Sequence, residues 1–323
     1  MATLEDLTAK VDAGERLSEQ DAVALASSRD IITMGMLATT VRRRLHSNEV
    51  TYVRVADLKL DDRADLKVGT TTDGVTGDRM PTFRSANSAG EVRIFQTPHT
   101  LDAAVAIVEK ACDLAGATPL SAFCLYELGK LPEGLPVVLP ALKKAGLQTV
   151  TQAPIDRLRD PERALEALAD AGLELARLTI NETPEREWTA VCREVASLHT
   201  RLKTIRAFAP LARTMDVSQP TTGYEDVKRI AIARLVADNV DTIQVDWALY
   251  GPKLAQVALT FGADDIDSVA ATDDDSQGRR RSPVEEIRRS IHAAGFEPIE
   301  RDGNFVDRRS STVDRRSTMD DGR

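Results

Sequence analysis

The side chains equipped for chemistry in this sequence are polar residues placed where apolar runs stop. Glu127, Glu182 and Asp246 are the candidate acid–base groups, because a carboxyl tuned by its surroundings can deliver a proton to a substrate or remove one. His99, Tyr126, Asn181, Arg206, Gln244 and Asp246 are the candidate ligand-binding residues, with Gln96 and Gln152 in equivalent positions. No Ser-His-Asp set, phosphate-binding P-loop or HExxH motif can be traced. Asp264, Asp265 and Asp267 lie close together, as in a divalent-cation loop. Lacking further oxygen ligands, residues 262–267 read as a solvated acidic loop, and no metal ligand is assigned. Cys112, Cys124 and Cys192 are far apart in apolar patterns and read as buried free thiols.

Positioning such groups takes a scaffold, which is clearest around residues 223–268. Thr222 and Glu225 form a capping box, and Val227, Ile230, Ala231 and Leu235 follow at helical spacing. Asn239 and Asp241 break that helix. Ile243, Val245, Trp247 and Leu249 then alternate with Gln244, Asp246 and Ala248, the period of a strand. Pro252 opens a second helix, carrying Leu254, Val257, Ala258 and Phe261 and closing at Gly262.

Upstream, strands are expected at 50–55, 91–96, 120–128, 148–153, 175–181 and 204–211. Helices are expected between them at 101–114, 135–145, 161–171 and 185–199. This alternation predicts an α/β fold, a partial TIM-like (β/α) barrel. Ligands in such barrels gather at the C-terminal strand ends, which is what nominates the residues above. Gln244 and Asp246 are expected to face the interior, with Arg206 on the neighbouring strand neutralising the carboxylate. A merely structural Arg206–Asp246 pair, with no ligand, is the competing reading.

The expected layout is an N-terminal helical cap over 1–48, the barrel over 49–270, a mobile charged linker over 271–283, a closing helix over 284–303 and a disordered tail over 304–323. In the cap, Ser18 with Asp21 starts one helix, and a later one ends in the basic run Arg42–Arg44. In the tail, VDRRSST and VDRRSTM nearly repeat with alternating charge.

A net charge of −9 argues against nucleic acid as a partner, since phosphate binding needs concentrated Lys and Arg. No apolar run approaches the roughly 20 residues of a membrane span, and the acidic start MATLEDLTAK lacks a signal-peptide core. The expected location is cytoplasmic, without membrane contact.

The segments IAIARLVADNVDTIQVDW, LAQVALTFGADDID and AGFEPIERD resemble the C-terminal part of the aminofutalosine synthase family, radical S-adenosylmethionine (SAM) enzymes of the futalosine route to menaquinone. ERLSEQDAVAL, MGMLATTVRRRL and NEVTYVRV are similar to the family's entry helices and first strand, and LTINETPEREW to one of its strand-end motifs. The resemblance implies a radical-SAM-type barrel in which a CxxxCxxC loop, just after the first strand, holds a [4Fe–4S] cluster. Here residues 56–91 contain neither Cys nor His. Where the family has paired glycines near SAM, this chain has Gln96, Thr97 and Pro98, whose Cβ atoms block close backbone approach; His99 matches the family's His in position.

The expectation is therefore a degenerate member without the cluster, a non-radical or non-catalytic paralogue. It would carry no cofactor and bind a small molecule of the pathway or an active family member. The alternative is a non-radical enzyme doing acid–base chemistry on a futalosine-type nucleoside at the barrel mouth, of transferase or lyase type, without cleaving SAM.

Overall fold

The computed structural model describes residues 4–60, 66–68, 89–182, 188–214, 222–271 and 283–307. Three helices lead in: α1 (Leu4–Ala13), α2 (Glu19–Ser27) and α3 (Ile31–His46). Ser18 and Asp21 form the capping box that starts α2, and Asp30 caps α3. β1 (Glu49–Leu60) and the short β2 (Leu66–Val68) follow as an antiparallel pair.

Strands and helices then alternate: β3 (Glu91–Ile94), α4 (Leu101–Ala115), β4 (Leu120–Cys124), α5 (Leu125–Leu128), α6 (Leu135–Lys144), β5 (Thr149–Pro154), α7 (Pro161–Asp170), β6 (Glu174–Ile180), α8 (Trp188–Leu202) and β7 (Ala207–Ala212). The chain continues through α9 (Gly223–Val236), β8 (Thr242–Asp246), α10 (Trp247–Leu259), β9 (Asp265–Ala270), α11 (Pro283–Ala293) and β10 (Glu297–Arg301).

The strands run parallel in the order β1-β3-β4-β5-β6-β7-β8-β9, and β9 pairs back onto β1, closing an eight-stranded barrel. Closure corrects the partial barrel expected from the sequence. What closes it is the acidic stretch: Asp265–Ala270 is the last barrel strand, not a solvated loop. β10 is a wedge. It pairs with the lower half of β1, from Glu49 to Val53, while β3 takes the upper half from Val55 to Asp57. Gly90 makes the junction possible, because a Cβ there would lie 2.8 Å from the carbonyl oxygen of Arg301.

The core lies between the strands and the surrounding helices. Leu139, Leu142, Leu165, Leu168, Ile230 and Leu235 are buried on the inward faces of their helices, against strand residues such as Val150, Leu178 and Phe208. Trp188 stacks on Phe208 with ring centroids 6.3 Å apart, on that outer side of the barrel wall.

β4 and β8 stop short of the expected strands because each turns directly into helix. β4 ends at Cys124 and residues 125–128 form a helical turn, where Gly129 donates back to Leu125. β8 ends at Asp246, which turns into the cap of α10 by accepting the Leu249 N–H at 3.0 Å, so Trp247 and Leu249 are helical. α10 is broken at Gly251 (φ 75°, ψ 169°), and its second part starts at Pro252 as the sequence suggests. Among the described residues no helix is long and apolar enough to cross a membrane.

Candidate functional site

Alternate residues of each strand point into the lumen, which parallel barrels usually fill with branched apolar side chains. This one is filled with charge. In the lower layer Asp265 accepts from Arg301 Nε and Nη2 at 2.6 and 2.8 Å, from Gln244 Nε2 at 2.7 Å and from the Thr51 hydroxyl at 2.6 Å. Above it, Arg93 spans two carboxylates: Nε and Nη2 donate to Glu91 at 3.0 and 2.6 Å, and Nη2 also reaches Asp267 at 2.8 Å. Arg177 donates to Asp267 with Nη1 and to the Thr151 carbonyl with Nε at 3.2 Å. Ser121 donates to Glu91 and receives the Thr151 hydroxyl at 3.1 Å.

Glu91, Arg93, Arg177, Asp265, Asp267 and Arg301 are each no more than 2% exposed. Ions that deep survive only as compensated sets. Burial pushes the Glu91 and Asp267 pKa values up, but the guanidinium groups of Arg93 and Arg177 outweigh it. Glu91 is held below, and Asp267 well below, the usual carboxylate range. The two arginines part company: Arg93, with bonds to both carboxylates, lies well above its ordinary value. Arg177, with fewer partners and Arg93 beside it, is lowered by burial to about 10.

The top layer is the mouth. Asp246 is 5% exposed and accepts from Arg213 Nη2 and the Ser268 hydroxyl, both at 3.0 Å. Ser268 (φ 59°) and Phe123 (φ 65°) are non-glycine residues in the left-handed region near the ends of β9 and β4. A conformation that costs on the order of 1–3 kcal/mol persists where packing over-determines it, and such residues cluster at functional sites. Across β9 the pairing with β1 shifts register between Tyr52 and Arg54, a bulge that turns Ser268 towards Asp246.

The nominated residues divide between mouth, lumen and elsewhere. Gln244 and Asp246 do face the interior, in different layers. Arg206 does not: it precedes β7, at the opposite end of the barrel, and binds Glu174 on the surface, so the cation on Asp246 is Arg213. Tyr126 and Glu127 sit on α5 rather than a strand end. The ring of Tyr126 lies 4.2 Å from Lys130 Nζ, which is ion-paired to Glu127.

Asn181 and Glu182 follow β6, with both backbone N–H groups capped by Asp156, and the Glu182 side chain is 60% exposed, 3.6 Å from Arg157. His99 is exposed on the loop after β3, and Gln96 accepts the Leu60 N–H at 3.2 Å. Gln152 is half-buried and pairs in register with Arg177 of β6. Asp264 lies outside the lumen, bound to Arg234 and to the Ile243 N–H.

Glu91, Arg93, Arg177, Arg213, Ser268 and Arg301 were missed by sequence reasoning, and Asp265 and Asp267 were placed in a solvated loop. A signal existed in Glu91-x-Arg93 and Asp265-x-Asp267, charges two apart inside apolar strands. That period puts both members of each pair on one face.

The thiols do not fit the cluster that the resemblance implies. Cys112 lies on α4, Cys124 at the end of β4 and Cys192 within α8, on three separate elements. Burial raises the pKa of all three, favouring the thiol where a cluster needs thiolates. Among the described residues no group of three or more His, Cys, Asp or Glu side chains is arranged to hold a metal ion.

Residues 204–312 match the family model described as the CofH/MqnC C-terminal region. The chain is similar to aminodeoxyfutalosine synthase of Thermus thermophilus, 25% identical over 354 residues that cover 92% of this chain and 93% of that protein. It is also similar to the 5-amino-6-(D-ribitylamino)uracil–L-tyrosine 4-hydroxyphenyl transferase of Methanosphaerula palustris, 24% identical over 372 residues covering 96% and 98%. Among solved structures, methylornithine synthase shares the fold with a TM-score of 0.61 at 13% identity, over 90% of this chain and 97% of that one.

Proposed function

We propose that this chain, which is related to the aminofutalosine synthase-like radical SAM enzymes, keeps their barrel without their radical chemistry. On this reading it is a cytoplasmic pseudoenzyme of menaquinone biosynthesis that binds a small molecule of the pathway at its mouth or pairs with an active family member. The observation that carries the reading is the absence of Cys and His from residues 56–91, the interval after β1. The three remaining thiols, scattered and kept protonated by burial, support it. Without a cluster no electron is supplied for reductive cleavage of SAM.

The test is incubation of the anaerobically reconstituted protein with SAM and dithionite. The expected result is no 5′-deoxyadenosine above a protein-free control; its formation overturns the proposal.

The second reading, acid–base catalysis, is favoured by Asp246, a buried carboxylate at the mouth held by a strained serine. Arg213, Ser268 and the Leu249 N–H take three of a carboxylate's roughly four acceptor positions, which leaves one on Oδ1 for a substrate proton. Turnover of a futalosine-type nucleoside that disappears in Asp246→Asn would establish it.

A further inference from the structure

Arg213 carries more donors than its surroundings use. Its Nη2 donates to Asp246 at 3.0 Å, and among the described residues this is the side chain's one hydrogen bond. A guanidinium has five N–H donors and no acceptor, so the rest of that edge is satisfied only by a group that brings oxygen acceptors. The side chain is 23% exposed and extends inward to a lumen carboxylate, which leaves its free edge at the mouth.

A second group points to the same place. Thr179 lies on the lumen side of β6, two residues beyond Arg177, and is fully buried, yet its hydroxyl has no partner. The backbone N–H of Arg213 donates at 2.9 Å to the carbonyl of Ile180, the residue after Thr179, so the two are neighbours across β6 and β7. The residues paired with Thr179 on the adjoining strands are Pro154 of β5 and the small Ala209 of β7. The ionic network lies one layer lower, where Arg177 of β6 bonds Asp267. A buried hydroxyl left unpaired is costly unless something bonds to it.

Resting on the reading that the mouth binds a small molecule, we propose that the upper lumen is an oxyanion site, in which a carboxylate or phosphate group of a small ligand sits on the free edge of Arg213 with the Thr179 hydroxyl as a further donor. Because Asp246 already neutralises Arg213, selectivity comes from the paired donors and not from net charge. An acceptor-only group is taken, and its amide isostere, which also donates, is rejected.

The experiment is calorimetric titration of the full chain with sodium acetate, sodium phosphate and acetamide at constant ionic strength. It is run on the parent, Arg213→Lys, Arg213→Gln and Thr179→Val, with thermal unfolding of each as a control for folding. Saturable binding of acetate or phosphate but not acetamide is expected, and whichever anion saturates identifies the group as carboxylate or phosphate. Arg213→Gln should weaken binding about tenfold or more, the loss of a charge-assisted pair. Arg213→Lys keeps the charge and a bond to Asp246 but loses the planar fork. It should fold normally and still bind several-fold more weakly, as should Thr179→Val.

Absence of saturable oxyanion binding overturns the proposal, and so does binding undiminished in both Arg213→Lys and Thr179→Val. The outcome is separable from the preceding reading. Protein that forms 5′-deoxyadenosine yet binds acetate through Arg213 refutes the pseudoenzyme and leaves this site standing, whereas cluster-free protein that ignores both anions does the reverse.

Discussion

Asp267 is the residue on which the lumen turns, since it joins Arg93 to Arg177 and touches Ser268. Asp267→Asn removes one charge from a buried set and leaves two guanidinium groups under-compensated, so we expect a loss of about 3–5 kcal/mol in urea unfolding. The pH dependence follows from the same geometry. Asp267 and Glu91 both have folded pKa values below their ordinary ones, so the unfolded chain takes up protons first as the solution is acidified. Their contribution is complete above about pH 5 and is lost as pH falls through about 4 and below. Urea midpoints should fall between pH 6 and pH 3, and fall less in Asp267→Asn; a parent midpoint that stays level would contradict the pairing. The mouth aspartate was legible in the sequence from strand alternation. Its partner was not, because Arg213 follows β7 while Arg206 precedes it, and apolar patterning alone does not say at which end of a strand an arginine lies.

At the scale of elements, most strands and helices could be read from apolar period and caps. The Thr222–Glu225 and Ser18–Asp21 boxes stand where the sequence puts them. What misled was composition. Residues 264–267 look like a polar loop because acidic residues rarely fill a central strand. Here Asp265 and Asp267 are neutralised by arginines distant in sequence, Arg301, Arg93 and Arg177. Long-range compensation of this kind leaves no local mark. The wedge β10 was likewise hidden inside a segment expected to be a closing helix. Its seat against β1 and β3 depends on Gly90, so Gly90→Ala should cost about 1–3 kcal/mol through overpacking against the Arg301 carbonyl. Thermal unfolding checks this; an unchanged midpoint would mean that β10 moves aside freely.

The whole molecule pairs a closed parallel barrel with an interior that compensates its own charge. Its fold follows from alternating strands and helices and is shared with methylornithine synthase, while its chemistry depends on what the mouth can still hold. The account rests on one proposal above the others: that the chain keeps a radical-SAM-type scaffold without the thiolates that would arm it. Iron and acid-labile sulfide analysis of anaerobically purified and reconstituted protein tests that directly. The expected result is iron and sulfide far below the four of each that a [4Fe–4S] cluster requires per chain, at the level of a control protein treated in the same way. Near-stoichiometric iron and sulfide that remain through gel filtration would contradict it.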